Sequence, residues 1–184
     1  MTYKFFALTI ITFLLASCSQ SVDANLISKQ SIGLLTDSTQ VKDLSFIFPN
    51  DSIAKYLGNN EFTGANNDIE IYDETGNKLL TLTPRKRLDS TSTIKSIQIN
   101  AERFKTTKGL NSKSTFKTIK DNYKISSIQN TIRNVVVSVN EINAFFTIDK
   151  KELPSELRFD MNIKIEEIQI PDEAKIKEFY MQWY

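Results

Sequence analysis

Residues 31–49, SIGLLTDSTQVKDLSFIFP, and residues 109–123, GLNSKSTFKTIKDNY, carry the architecture, because the second stretch repeats the first about 75 residues later. At an offset of 75, Val41, Leu44 and Phe48 fall on Phe116, Ile119 and Tyr123. Gly33 falls on Gly109 only if one residue is inserted. Apolar residues at i, i+3 and i+7 mark the buried stripe of a short helix. The Asp, Ser and Thr residues ahead of each stripe offer side-chain oxygens to the free N–H groups of a first helical turn. Pro49 stops the first helix.

Beyond these stretches, each helix is followed by a hairpin pattern. Residues 68–72 (DIEIY) alternate, Asp73 to Asn77 has turn chemistry, and residues 78–82 (KLLTL) return. In the second half residues 134–139 (NVVVSV), the turn 140–143 and residues 144–148 (AFFTI) do the same. The spacing therefore predicts a helix–hairpin unit used twice, over about 31–83 and 106–149. Residues 94–99 (IKSIQI) read as a further strand between the units. At the end, residues 163–170 (IKIEEIQI) and 175–183 read as a last hairpin, with Phe179, Met181 and Trp183 on one face. Ile176, Phe179, Tyr180 and Trp183 also fit a helical stripe, so strand and helix both stand for this stretch, with aromatic density favouring the strand. The expected fold class is α+β, two short helices on a mostly antiparallel sheet.

The chain begins differently. Residues 5–16 (FFALTIITFLLA) form an uncharged, apolar run behind Lys4. A bilayer-spanning helix needs about 20 such residues, so this run reads as the apolar region of a secretory signal over residues 1–17. It ends at Leu15-Ala16-Ser17-Cys18, which resembles the lipobox read by bacterial lipoprotein signal peptidase. The resemblance implies a diacylglycerol thioether on Cys18, cleavage before it, and acylation of the new amino terminus. Residues 18–30 then read as a lipidated flexible tether and 31–184 as a single domain. Ser19 follows the cysteine where an aspartate would signal inner-membrane retention, so the implied location is the periplasmic face of the outer membrane. The lipid bilayer is the first expected partner.

The order of Ile32-Gly33, a helix closing in Phe48-Pro49, the strand 94–99, and Gly109 with a second helix resembles an uncharacterised bacterial lipoprotein family that includes the envelope-stress-regulated outer-membrane lipoproteins of enteric bacteria. That likeness covers about residues 31–150. The repeated unit also looks like the small accessory lipoproteins of the barrel-assembly machinery and the tandem-repeat β-lactamase inhibitors. The resemblance brings no catalytic residues with it.

Composition narrows the chemistry. The chain of 184 residues has no histidine and one cysteine. That excludes Ser-His-Asp and Cys-His sites, imidazole-ligated metals, internal disulfides and cysteine-rich zinc sites. No metal or other cofactor is called for. Of 23 basic and 22 acidic side chains, cleavage of the signal removes only Lys4 and leaves the mature chain neutral. The neutrality hides an uneven distribution. Residues 103–124 hold seven basic groups against Asp121 alone, while residues 51–78 and 149–173 are acidic. Lys113, Lys117, Lys120 and Lys124, at i, i+4, i+7 and i+11, predict one basic stripe opposite Phe116 and Ile119. Such a stripe suits an anionic lipid headgroup or an acidic envelope protein; nucleic acid is not an expected partner in that compartment. Asp68 and Glu70, two apart on one strand, are the candidate pair for carboxylate catalysis, though the polar side of a strand is where solvated charge belongs. The sequence thus favours a non-enzymatic binding or assembly module in the envelope. A carboxylate-dependent envelope hydrolase and an inhibitor of a periplasmic enzyme are the alternatives.

Overall fold

The structure, a computed structural model, describes residues 23–55 and 67–184. In chain order it runs β1 (Leu26–Ile27), β2 (Ser31–Ile32), β3 (Leu35–Thr36), a 3-10 turn (Val41–Asp43) continuing into α1 (Leu44–Ile47), β4 (Ser52–Lys55), β5 (Ile69–Tyr72), β6 (Lys78–Pro84) and β7 (Ile94–Ile99). The second half comprises β8 (Lys105–Thr106), α2 (Phe116–Asn122), β9 (Ser127–Asn130), β10 (Asn134–Val139), β11 (Ala144–Asp149) and β12 (Ile176–Gln182).

Period-two alternation builds the main sheet, because successive strand side chains point to opposite faces. Eight strands pair in the order β4-β5-β6-β7-β12-β11-β10-β9, every pair antiparallel. On one face Ile69, Ile71, Leu80, Leu82, Ile97 and Ile99 are buried, and across the β7–β12 seam Phe179, Met181, Phe146, Ile148, Val135 and Val137 continue the same layer. Each such side chain contributes about 1.5–3 kcal/mol when fully buried. The register brings Ile99 opposite Phe179 and Ile97 opposite Met181, so both halves share one core. The other face carries Glu70, Thr81, Gln98, Tyr180, Phe145 and Ser138 in one cross-strand row.

The apolar face is covered by the two helices and by a small sheet of order β3-β2-β1-β8. Val41, Leu44 and Phe48 bury against it from the first helical segment, and Phe116, Ile119 and Tyr123 from the second. The fold is therefore α+β with a mostly antiparallel sheet; β1 with β8 is the parallel exception.

Several expectations need correction. The tether expected over residues 18–30 is folded from Asp23 onward where it is described: Leu26–Ile27 pairs with both β2 and β8, and Ile27 is buried. Its composition is polar, but Ile27 enters the core and Leu26 is half-buried beside it. Each helix leads into four antiparallel strands in sequence, not into a hairpin: β4 and β9 precede the expected hairpins, and β7 and β12 come after them. Residues 163–170 are not a strand. Ile165 and Ile170 are buried while Ile168 is 94% exposed, and a capping box between Glu166 and Gln169 closes a 3-10 turn there. The final stretch is the strand β12, paired with β11 and β7. The residues before each helix do not cap it. Instead the Val41 and Lys42 N–H groups donate to the carbonyls of Ser92 and Ser90, and those of Phe116 and Lys117 to the carbonyls of Ala174 and Asp172. The chain leading into β7 or β12 supplies the acceptors that side chains were expected to give.

Candidate functional site

The helix α2 begins at Phe116 and ends at Asn122, so of the four lysines in the expected stripe only Lys117 and Lys120 lie on it. Tyr123 is already extended, which turns Lys124 away from the helical repeat, and Lys113 sits in the preceding turn. The structure also gives the two helical lysines partners. Lys117 meets Asp121 at 2.7 Å and Asp172 at 4.0 Å, and Lys120 pairs with Asp172. The Asp121 carboxylate holds the Lys117 ammonium above its ordinary range, and Lys120 holds the Asp172 carboxyl below its own.

Other cations of the segment are partly spent too. Arg103 lies 3.8 Å from Asp51. Lys108 pairs with Glu141 at 3.1 Å and sits 4.3 Å from the centre of the Tyr123 ring, whose hydroxyl donates to Thr106 at 2.6 Å. Lys105, Lys113 and Lys124 are exposed and form no ion pair among the described residues.

The folded chain sorts these charges by layer. The covering layer, residues 23–48 and 101–124, has nine basic side chains against five acidic ones. The remaining described residues, the main sheet and its connections, have thirteen against sixteen. The unevenness seen along the sequence thus persists as a basic excess in the covering layer, and part of the acidic excess, in residues 150–175, packs on the same core. Surface pairs such as Lys117–Asp172 blunt the unevenness where the layers meet, and each is worth little on its own.

The amino-terminal end of the described chain lies in the basic layer. Asp23 accepts the Asn25 N–H at 2.9 Å, and the Lys105 N–H donates to the Asn25 carbonyl at 3.0 Å. Gly33 holds the β2–β3 turn against Ala24: its φ of 56° and a Cβ position only 2.2 Å from the Ala24 carbonyl oxygen exclude a larger residue. Leu34, next to it, is 53% exposed, and Phe46 on α1 is 79% exposed. Sequence reading passed over both. Leu34 stands after a glycine in a turn, and Phe46 falls between the buried positions Leu44 and Phe48, which is the only signal either one carried.

The carboxylates of β5 are tied into the outer sheet face. Asp68 accepts the Thr83 hydroxyl at 2.6 Å. Glu70 pairs with the Lys78 ammonium and accepts the Tyr72 hydroxyl at 2.5 Å, and these two contacts, Lys78 first, hold its carboxyl below the usual range. A general acid needs the opposite shift. A shallow cavity of about 220 Å³ is lined by Arg85, Asp89 and Thr91 among others, but Arg85 is committed to the Trp183 carbonyl at 2.8 Å and to Thr93 at 3.1 Å. No group of three Asp, Glu or Cys side chains among the described residues could hold a metal ion.

These features define an α+β domain with a two-faced eight-stranded sheet and a basic covering layer. No family model and no curated protein matches the chain. Among solved structures it is similar to the uncharacterized protein yfeY from Escherichia coli, with a TM-score of 0.55 at 15% identity over 85% of this chain and 99% of that one. At that identity the likeness is one of fold.

Proposed function

We propose that this chain is a lipid-anchored envelope protein, held by an acylated Cys18 at the periplasmic face of the outer membrane, where its domain acts as a non-enzymatic binding or assembly module. The observation that carries the reading is the Leu15-Ala16-Ser17-Cys18 motif closing a twelve-residue apolar run, a pattern a bilayer span would not need and a signal peptide does. Cys18 and the run lie outside the described residues. Two or three acyl chains, at about 0.8 kcal/mol per buried methylene, anchor a protein stably without further contact. Among the described residues Glu70 is held in an ion pair with Lys78, and the basic layer is open at Lys105, Lys113 and Lys124. An envelope protein or an anionic lipid headgroup is the partner such a layer fits. Metabolic labelling with alkyne palmitate tests the anchor. The wild-type chain takes the label and Cys18→Ala does not; labelled Cys18→Ala protein refutes the reading.

We also infer that the domain arose by duplication of one unit, a short strand and turn, a helix and four strands, over residues 31–99 and 105–182. The support lies in matched hydrogen bonds. Thr39 Oγ1 accepts the Thr36 N–H at 2.9 Å, and Ser114 Oγ accepts the Asn111 N–H at 3.0 Å, both at an offset of 75. The helix-entry bonds from Val41 and Lys42 match those from Phe116 and Lys117. Gln40 bridges Thr93 as Thr115 bridges Lys175. The helix-entry acceptors and these bridges share an offset of 82, and the register shifts at Thr83/Pro84 and at Thr147/Ile148 then equate Leu82 with Phe146 and Ile97 with Phe179. Gln98 and Tyr180, also 82 apart, are themselves partners across the seam, as the two copies of one position must be where an internal two-fold axis passes. β1 has no counterpart and lies between β2 and β8, filling the small sheet between the two copies.

A further inference from the structure

We infer that the covering layer is the face this protein turns to the bilayer, with Leu34 set into the lipid interface and the lysines of that layer meeting anionic headgroups. The inference rests on the anchor proposed at Cys18 and goes beyond it by assigning which surface meets lipid.

Chain length is the first constraint. Only residues 19–22 separate Cys18 from Asp23, where the described fold begins. Even fully extended, those five steps reach about 17 Å. A compact domain of this length has a radius of gyration of about 15 Å, so on so short a link the surface around the exit is the one held nearest the membrane. That surface is the small sheet and its helices, because Asn25 and Leu26 are fixed to β8 beside Lys105.

What stands there suits an interface. Leu34 follows Gly33 in the turn that packs on Ala24, one residue from the start of the described chain, and its side chain is exposed. Phe46 is exposed on the same covering layer. Lys105, on β8 beside Asn25 and Leu26, is exposed, as are Lys29 and Lys113 elsewhere on the layer, and none of the three forms an ion pair among the described residues. Apolar side chains in an interface flanked by lysines are the pattern of a peripheral membrane contact.

The test uses the full acylated chain in phosphatidylethanolamine:phosphatidylglycerol vesicles. With Cys18 acylated, a cysteine introduced by Leu34→Cys, Phe46→Cys or Gln129→Cys is the single free thiol for a bimane label. Gln129 is exposed on the opposite face of the sheet. The label at 34 is expected to shift to the blue and to lose iodide quenching severalfold relative to the label at 129, with the label at 46 intermediate. Lys105→Glu combined with Lys113→Glu is expected to reduce that protection while leaving acylation intact. Equal quenching at 34 and 129 in vesicle-bound protein overturns the orientation and leaves the anchor standing. Failure of the chain to float with the vesicles overturns the anchor, and the orientation with it.

Discussion

Among single residues, Lys150 carries the clearest cost. It is 4% exposed, two residues beyond Ile148 on the buried side of β11, and its Nζ makes no hydrogen bond with the protein. Its backbone N–H is used, donating to the Arg133 carbonyl at 3.0 Å. A buried polar group left unpaired costs about 1–3 kcal/mol, whereas an apolar side chain of similar length fills the same space. Lys150→Met is therefore expected to raise the urea midpoint without changing the slope of the transition; a lower midpoint would mean that the ammonium has a partner in solution. A second single-residue effect concerns acid. Asp73 closes the β5–β6 turn by accepting from the Thr75 hydroxyl at 2.7 Å and from the Thr75 and Asn77 N–H groups at 2.9 Å, and these bonds, the Thr75 hydroxyl foremost, lower its pKa to about 2. An unfolded aspartate titrates near about 3.9. The folded state thus binds the proton less tightly, so this contribution is complete above about pH 4 and disappears as pH falls through about 2. Asp73→Ala is expected to remove that component, seen as a shallower loss of stability between about pH 4 and about pH 2 in urea titrations.

At the level of elements, the turns ahead of the two helices make a paired comparison. Thr39 and Ser114 each accept an N–H from three residues earlier, Thr36 and Asn111, and hold the chain as it enters its helix. Thr39→Val and Ser114→Ala each remove one such bond, worth about 1 kcal/mol. Similar losses of stability are expected from the two, and a loss confined to one would show that the halves do not use the turn alike. These turns show what sequence reading could reach. The Ser and Thr signal was real, but it marked a turn closed on itself, since the helix's own N–H groups find carbonyls more than 50 residues away in Ser92 and Ala174, a pairing no local pattern carries. Long alternating strands were legible for the same reason that they are buried on one side: β5, β6, β10 and β11 stand within a few residues of expectation. β4 and β9, SIAK and SIQN, were not, because four residues with a single inward isoleucine, Ile53 or Ile128, hold too short a period. The lysines of the candidate site were legible as charge, but not the carboxylates that meet them, since Asp172 reaches Lys120 from 52 positions away. Leu34 and Phe46 gave no signal beyond their apolar nature, because exposure is decided by what packs against the neighbours.

For the molecule as a whole, the seam between β7 and β12 decides how the domain holds together. Two units of four strands, each with its helix, would unfold separately if the seam were weak, as stacked repeats do when interfaces are poor. Here Ile97, Ile99, Phe179 and Met181 are fully or almost fully buried at the seam, and β1 ties β2 of one half to β8 of the other in the covering layer. Truncating a buried phenylalanine costs about 3–5 kcal/mol, a large share of the stability of a domain this size. The seam therefore has to form for either half to be stable. Trp183 reports on it directly: the side chain is buried, its backbone N–H donates to the Lys95 carbonyl at 2.8 Å, and its carbonyl accepts from Arg85 at 2.8 Å. Tryptophan fluorescence tracks the seam and far-UV circular dichroism tracks both sheets, so coincident denaturant transitions are expected from the two probes. Phe179→Ala should shift both curves together to lower denaturant. Loss of the fluorescence signal ahead of the dichroism, in the wild type or the variant, would mean that the halves come apart first and stand on their own.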